Sequence, residues 1–219
     1  MVADDVRAVM QPKVKVILFD WGGVLSSGGT PDEMSIRLEG ALTMSRHAIR
    51  LFITPLLAKL KRGQLSIDEF WTELELHTAR KIPFSSRDVW ASLEELRPNS
   101  ELQSFTNSLL AEGYIVGILS NVFPNTEKII HEAGWYEPYN PLFLSSRLGM
   151  AKPDQEIYTH VCTSLGVQPQ EILFIDDQQR CLDTAKVIGM RVVLARHPHQ
   201  IINDIRKVLK AESVPFGHW

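Results

Sequence analysis

The sequence predicts an α/β protein: a parallel sheet covered by helices on both faces, with a helical block inserted near its start. Three observations carry this. From residue 98 onward, short apolar runs alternate with helical patterns. The runs are apolar at consecutive positions, as in strands buried on both faces. Residues 27–97 hold strong helix signals and no convincing strand.

The first strand is read from "VKVILFD" (14–20), which ends on the acid Asp20 and is followed at once by Gly22 and Gly23. "YIVGILSN" (114–121), "PLFLSS" (141–146), "EILFIDD" (171–177) and "MRVVLA" (190–195) supply the others. Helical patterns over 101–112, 124–133, 153–165 and 179–188 lie between and beside them. In the middle block, Ser66 with Glu69 forms a capping box ahead of Ile67, Phe70, Trp71 and Leu74. Ser85 with Asp88 is read as opening another helix, bearing Val89, Leu93 and Leu96. Residues 47–60 form an apolar helix in which Thr54-Pro55 predicts a kink. Its stripe of Leu51, Phe52, Leu56 and Leu60 is expected inside the block, with a substrate pocket or dimer contact as the alternatives. The expected division is a core of 1–26 with 98–219 and a helical cap of 27–97, entered through "SSGGTPD" and left through "RPNS".

Composition bounds the function. The chain has 219 residues, 44% of them hydrophobic, enough for a packed core. A formal charge of −3 gives no general attraction to nucleic acid or to an anionic membrane. Any anion must therefore be held by a local site. Cys162 and Cys181 have no metal-type spacing and read as reduced thiols. The first residues carry two acids and no long apolar core, and no run approaches the roughly 18 residues of a membrane span. A cytoplasmic location is expected, and the oligomeric state is not legible.

In parallel sheets, sites form just beyond the carboxyl ends of the strands. Those ends here are Asp20, then Ser120-Asn121, then Asp176-Asp177, with Lys152 before Pro153 after the third strand. Three acids brought together repel unless a cation joins them, and hard oxygen ligands select Mg²⁺. Ser120 and Asn121 can donate to phosphoryl oxygens, and Lys152 adds a compact positive charge. Pro153 suits a first helical position, which would set Lys152 at the positive end of a helix. Asp20 is then placed to attack phosphorus and form an aspartyl-phosphate that water cleaves. Gly22 would bring its carbonyl to the metal, and Gly23 would permit the turn.

These motifs, "FDWGGVL", "ILSN", "AKP" and "FIDD", resemble the four signatures of the haloacid dehalogenase superfamily from about residue 13 onward. The first is similar to that of the sugar-phosphate phosphatases with Asp-x-Gly-Asn there and of the phosphatase domain of epoxide hydrolases. The resemblance implies a Rossmann-like sheet, an inserted cap, a Mg²⁺ cofactor and a small-molecule phosphate ester as substrate. It implies Asp20 as nucleophile, with Ser120, Asn121 and Lys152 binding phosphate and Asp20, Gly22, Asp176 and Asp177 at the metal. Sugar phosphates and apolar prenyl or terpenoid phosphates are the substrate classes considered.

One departure matters. Most of these phosphatases have a second aspartate two residues after the nucleophile, as general acid and base. This chain has Gly22, and a missing general acid costs about 10²- to 10⁴-fold. The cap histidines His47 and His77 are the fallback donors considered. Cys181 stands where a further acid or amide often supports the metal, with Asp183 nearby but out of phase. His197 and His199 are read as loop residues, and Trp21 as core packing at the cap junction. The competing functions are a 2-haloacid dehalogenase, which needs no cation and so no extra carboxylates, and a binding protein whose chemistry Gly22 has blunted.

Overall fold

The computed structural model describes residues 13–27, 31–87 and 93–211. Strand β1 (Val16–Phe19) is the centre of a five-stranded parallel sheet, with β2 (Ile115–Ser120) and β3 (Leu142–Leu144) on one side. On its other side lie β4 (Ile172–Asp176) and β5 (Arg191–Leu194), for a spatial order of 3-2-1-4-5. All of β1 is buried because both faces are covered. Its side chains alternate between two apolar clusters. Ile17 and Phe19 point to one face with Leu173 and Ile175 of β4, and Val16 and Leu18 to the other with Ile172 and Phe174.

The helices divide the same way. Helices α5 (Ser100–Ala111), α6 (Pro124–Glu132) and α10 (Pro198–Ala211) cover the first face through Leu102, Leu109, Ile130, Ile201 and Ile205. Helices α8 (Gln155–Leu165) and α9 (Gln179–Ile188) cover the second through Ile157, Val161, Leu182 and Ala185. Gly117 in β2 is required by packing, since a Cβ there would overlap the Pro141 carbonyl.

Between β1 and β2 the chain runs through α1 (Pro31–Leu42), α2 (Arg46–Lys61), α3 (Ile67–Thr78) and the short α4 (Leu93–Leu96). The first three share their own apolar cluster, built on Leu38, Ile53, Leu60, Phe70 and Leu74. Phe123, just after β2, packs against that cluster from the core side. The capping box is present as read, with Glu69 N donating to Ser66 Oγ and Ser66 N to Glu69 Oε2. The two connections run side by side: Asn99 N donates to the Leu25 carbonyl at 2.7 Å, and the Trp21 indole N–H to the Leu96 carbonyl at 3.1 Å. Trp21 is a packing residue, its ring edge-on to Tyr136 with centroids 4.9 Å apart.

Helix α2 continues through Pro55, the position of the expected kink. The carbonyl that loses its N–H partner is that of Leu51, on the exposed face where water can replace it. Leu51 is accordingly not part of the interior stripe, which is Ile49, Ile53, Leu56, Leu57 and Leu60. "PLFLSS" is strand only to Leu144, because Ser145 begins a helical turn, α7 (Ser145–Leu148), and its Oγ accepts from Val122 N. Phe84–Ser86 is a single tight turn; Asp88 and Val89 lie outside the described residues. Helix α8 starts at Gln155 with Asp154 as its N-cap, so Pro153 is not its first residue. What holds Lys152 is therefore not that helix end.

Candidate active site

The sheet register sets the site. Phe19 pairs with Ile118 on β2 and with Ile175 on β4. One step further, Asp20 and Asp176 stand on neighbouring strands at the same level, and Asp20 N still donates to the Ile175 carbonyl at 2.9 Å. Asp20 is 5% exposed and Asp176 fully buried.

Each oxygen of Asp20 has its own partners. Oδ1 accepts from Trp21 N at 2.7 Å and from Ser120 Oγ at 2.6 Å. Oδ2 lies 3.1 Å from the Lys152 ammonium, which also donates to Asp176 Oδ2 at 2.6 Å. Asp176 Oδ1 is taken by Gln178 N at 2.7 Å. Burial opposes charge on Lys152, but Asp20 and Asp176 outweigh it and hold the ammonium above its usual range. The Asp20 carboxyl is pushed up, first by burial and further by Asp176, against the opposing pull of Lys152 and Ser120. The Asp20 carboxylate is thus held by fixed donors of the fold.

Asn121 has a different immediate task from the one read in the sequence. Its Nδ2 donates to the Lys152 carbonyl at 2.8 Å, and its Oδ1 accepts from Lys152 N at 2.9 Å. Both ends of the amide thus pin the backbone that carries Lys152, and one N–H is left over. Ser120 donates to Asp20, so its hydroxyl must turn to reach any ligand oxygen.

The ligand set fits a hard divalent cation. Asp20, Asp176 and Asp177 offer carboxylate oxygens within 4.8 Å of one another. Against three carboxylates the cluster has one ammonium, leaving the charge that one divalent cation balances. Gly23, not Gly22, carries the left-handed backbone, at φ 80°. A Cβ on Gly23 would sit 2.5 Å from Asp177 Oδ2, so this glycine makes room for that carboxylate as well as for the turn. Cys181 is buried, and its carbonyl accepts from the Tyr158 hydroxyl; Asp183 is exposed and bonded by Gln179.

The fallback acids are engaged or placed elsewhere among the described contacts. The His77 ring nitrogen is bonded to the Glu73 carbonyl on its own helix. His47 lies near the start of α2, about 20 Å along the axis from the end that approaches the core. His197 Nδ1 accepts from Gln200 N, and His199, inside α10, pairs with Glu101 at 3.1 Å. One cation near the site's elements that the sequence does not single out is Lys61, the last residue of α2, whose ammonium lies 5.8 Å from the Phe123 ring centroid. "KLKRG" looks like an ordinary basic helix end, where cations favour the dipole, so no local signal marked it.

Residues 14–189 match the haloacid dehalogenase-like hydrolases. The chain belongs to that family. Among its relatives in the family is a sesquiterpene phosphatase of Aspergillus oryzae, 23% identical over 80% of this chain and 87% of its own. A D-ribitol-5-phosphate phosphatase of Bacteroides thetaiotaomicron is 25% identical, over 80% and 89%. A haloacid dehalogenase family enzyme from the same bacterium, solved with magnesium and inorganic phosphate, superposes with a TM-score of 0.68 at 21% identity. That match covers 84% of this hydrolase and 94% of the solved chain, and it establishes the shared fold. No helix of the described residues is long and apolar enough to cross a membrane.

Proposed function

We propose that this hydrolase is a Mg²⁺-dependent phosphatase of small organic phosphate monoesters, working through an aspartyl-phosphate on Asp20. The observation that carries the reading is the Asp20 carboxylate, with Oδ1 fixed by Trp21 N and Ser120 and Oδ2 facing Lys152, beside Asp176 and Asp177. A halide-displacing enzyme, which needs no cation, has no use for Asp177, whereas Asp176 holds Lys152 in either reading. The residues that would hold Mg²⁺ are Asp20, Asp176, Asp177 and the Gly22 carbonyl, and the ion would supply charge neutralisation for the phosphoryl group.

In the first step an Asp20 oxygen bonds to phosphorus as the ester oxygen leaves with its electron pair. Lys152 and the Ser120 hydroxyl, turned from Asp20, bind phosphoryl oxygens, and Asn121 keeps Lys152 in place. Water then attacks phosphorus and gives up a proton to solvent, matching the one the departed ester oxygen takes from solvent, so that inorganic phosphate leaves and the Asp20 carboxylate is restored. Catalysis rests on positioning and on charge stabilisation. The insertion α1–α3 serves as the cap, and the free thiols suit a cytoplasmic location. Both substrate classes considered, sugar phosphates and apolar terpenoid phosphates, have a relative whose name fits them.

The test is a panel of both ester classes assayed with Mg²⁺ and with chelator. Hydrolysis of at least one class that vanishes on chelation is expected; full activity in chelator, or none on the whole panel, would overturn the reading. Within the panel, rates should fall steeply as leaving-group pKa rises, because position 22 supplies no acid. Gly22 lacks a positive φ, so Gly22→Asp meets no backbone penalty and should raise rates on alkyl esters relative to aryl esters. A flat leaving-group dependence in the parent, with chemistry rate-limiting, would reveal another acid.

Gly23→Ala tests the metal side. The new Cβ must displace Asp177, and the left-handed backbone adds strain. The Mg²⁺ concentration for half-maximal activity should rise about 10- to 100-fold, as when a metal ligand loses its support. An unchanged Mg²⁺ requirement would remove Asp177 from the ligand set.

A further inference from the structure

Lys61 is partly buried, yet its side chain makes no ion pair and no hydrogen bond among the described residues. Its ammonium lies over the face of Phe123, two residues beyond Asn121. Burial, and then the nearby Arg180 and Arg62 guanidinium groups, push its ammonium below the ordinary lysine range, while the Asp20 carboxylate pulls the other way. Among the described residues the Arg180 guanidinium is bonded to Gln178 Oε1, at 2.9 and 3.2 Å. A desolvated cation next to other cations, with no carboxylate in pairing range, costs the folded state stability.

The turn after α2 is nevertheless built to hold Lys61 there. Gly63 has φ 62°, and a Cβ on it would overlap the Ser146 carbonyl in α7. Arg62 pairs with Asp154, the N-cap of α8. Ser146 and Asp154 lie on either side of Lys152 in the chain. The insertion is thus clamped to the two core segments that flank the site's own lysine.

We propose that Lys61 is a substrate-contacting residue: seated by the Arg62–Gly63 clamp, its ammonium binds the phosphoryl group of the ester at Asp20. The inference rests on the phosphatase reading. Three carboxylates, Lys152 and one divalent cation together are neutral, so a dianionic phosphoryl group arrives with its charge uncompensated. Lys61, supported by Arg180, supplies the missing positive charge, and it does so only while the insertion is docked on the core. Phosphate is bound by core and insertion jointly.

The experiment is calorimetric titration of inorganic phosphate, with Mg²⁺ present, into the parent, Lys61→Met, Lys61→Arg and Gly63→Ala. Lys61→Met should weaken phosphate binding about 10- to 100-fold, the range for a hydrogen bond to a charged group. Lys61→Arg should recover most of the loss. Gly63→Ala should weaken binding in the same direction although it removes no charge. Met keeps the apolar stem and deletes an unpaired cation, so the thermal midpoint of Lys61→Met should equal or exceed the parent's. Phosphate binding as tight in Lys61→Met as in the parent, with ester hydrolysis intact in the parent, would overturn the role of Lys61 and leave the phosphatase reading standing. A parent that neither hydrolyses esters nor binds phosphate would overturn both.

Discussion

Asp20→Asn is expected to lower ester turnover by at least about 10⁴-fold, the scale seen when a covalent nucleophile is removed. The amide nearly matches the carboxylate in shape. Its carbonyl can still accept from Trp21 N and the Ser120 hydroxyl, so the turn after β1 should survive. Its nitrogen cannot attack phosphorus. The cost to folding should be modest: the amide nitrogen would face the Lys152 ammonium, but that ammonium keeps Asp176 as its partner. Because burial and Asp176 raise the folded-state pKa of Asp20, its ionised form costs stability at neutral pH, and a neutral amide removes that cost. The paired measurements are single-turnover kinetics with mass detection of the phosphorylated chain, and a thermal melt. A phosphorylated species in the parent, absent from Asp20→Asn at a melting midpoint near the parent's, is the expected result. Undiminished turnover in the variant would end the aspartyl-phosphate mechanism.

Lys152→Met is expected to have the second largest effect, on stability and activity together. Lys152 joins Asp20 to Asp176, with 1% of its side chain exposed. Without it two buried carboxylates face each other on neighbouring strands with no cation between them. Breaking a buried pair from one side costs about 3–5 kcal/mol. For a chain of this size that is a fall of roughly 10 °C in melting midpoint. Mg²⁺ should restore part of the loss, since it supplies positive charge to the same carboxylates, so the fall should be larger in chelator than in Mg²⁺. Turnover should drop by about 10³-fold or more even where the protein stays folded, because a preorganised charge facing the phosphoryl group is gone. Equal melting midpoints with and without metal would mean that the cation does not sit at these carboxylates.

Much of the fold and of the strand-end residue set is legible in the sequence. Strand cores announced themselves by being apolar at every position, which only a sheet covered on both faces requires, and the strand ends named Asp20, Ser120, Asn121, Asp176 and Asp177 directly. Lys152 could be found from "AKP" as well, although the reason given for its placement was wrong. The helix expected to start at Pro153 starts two residues later, and the ammonium is held by Asp20 and Asp176 instead. Histidines in the insertion were reasonable substitutes for a missing acid by residue type, but helix length carries His47 away from the site and His77 is engaged on its own helix.

By itself, then, the sequence determined the parallel sheet, the helical stretch between its first two strands and the residue types at the strand ends. Those are local properties: side-chain periodicity, capping and the last residue before a turn. Tertiary structure alone decided which of these groups touch. The Asn121 amide spans 31 positions to grip the Lys152 backbone, and Ser120 spans 100 to reach Asp20. It also placed Gly23 under Asp177, and it seated Lys61 beside Phe123 through a glycine whose missing side chain leaves room for Ser146. None of these follows from pattern, because a hydrogen bond or a steric fit depends on distances that the chain sets only by packing two clusters of helices against one sheet and a third cluster above it.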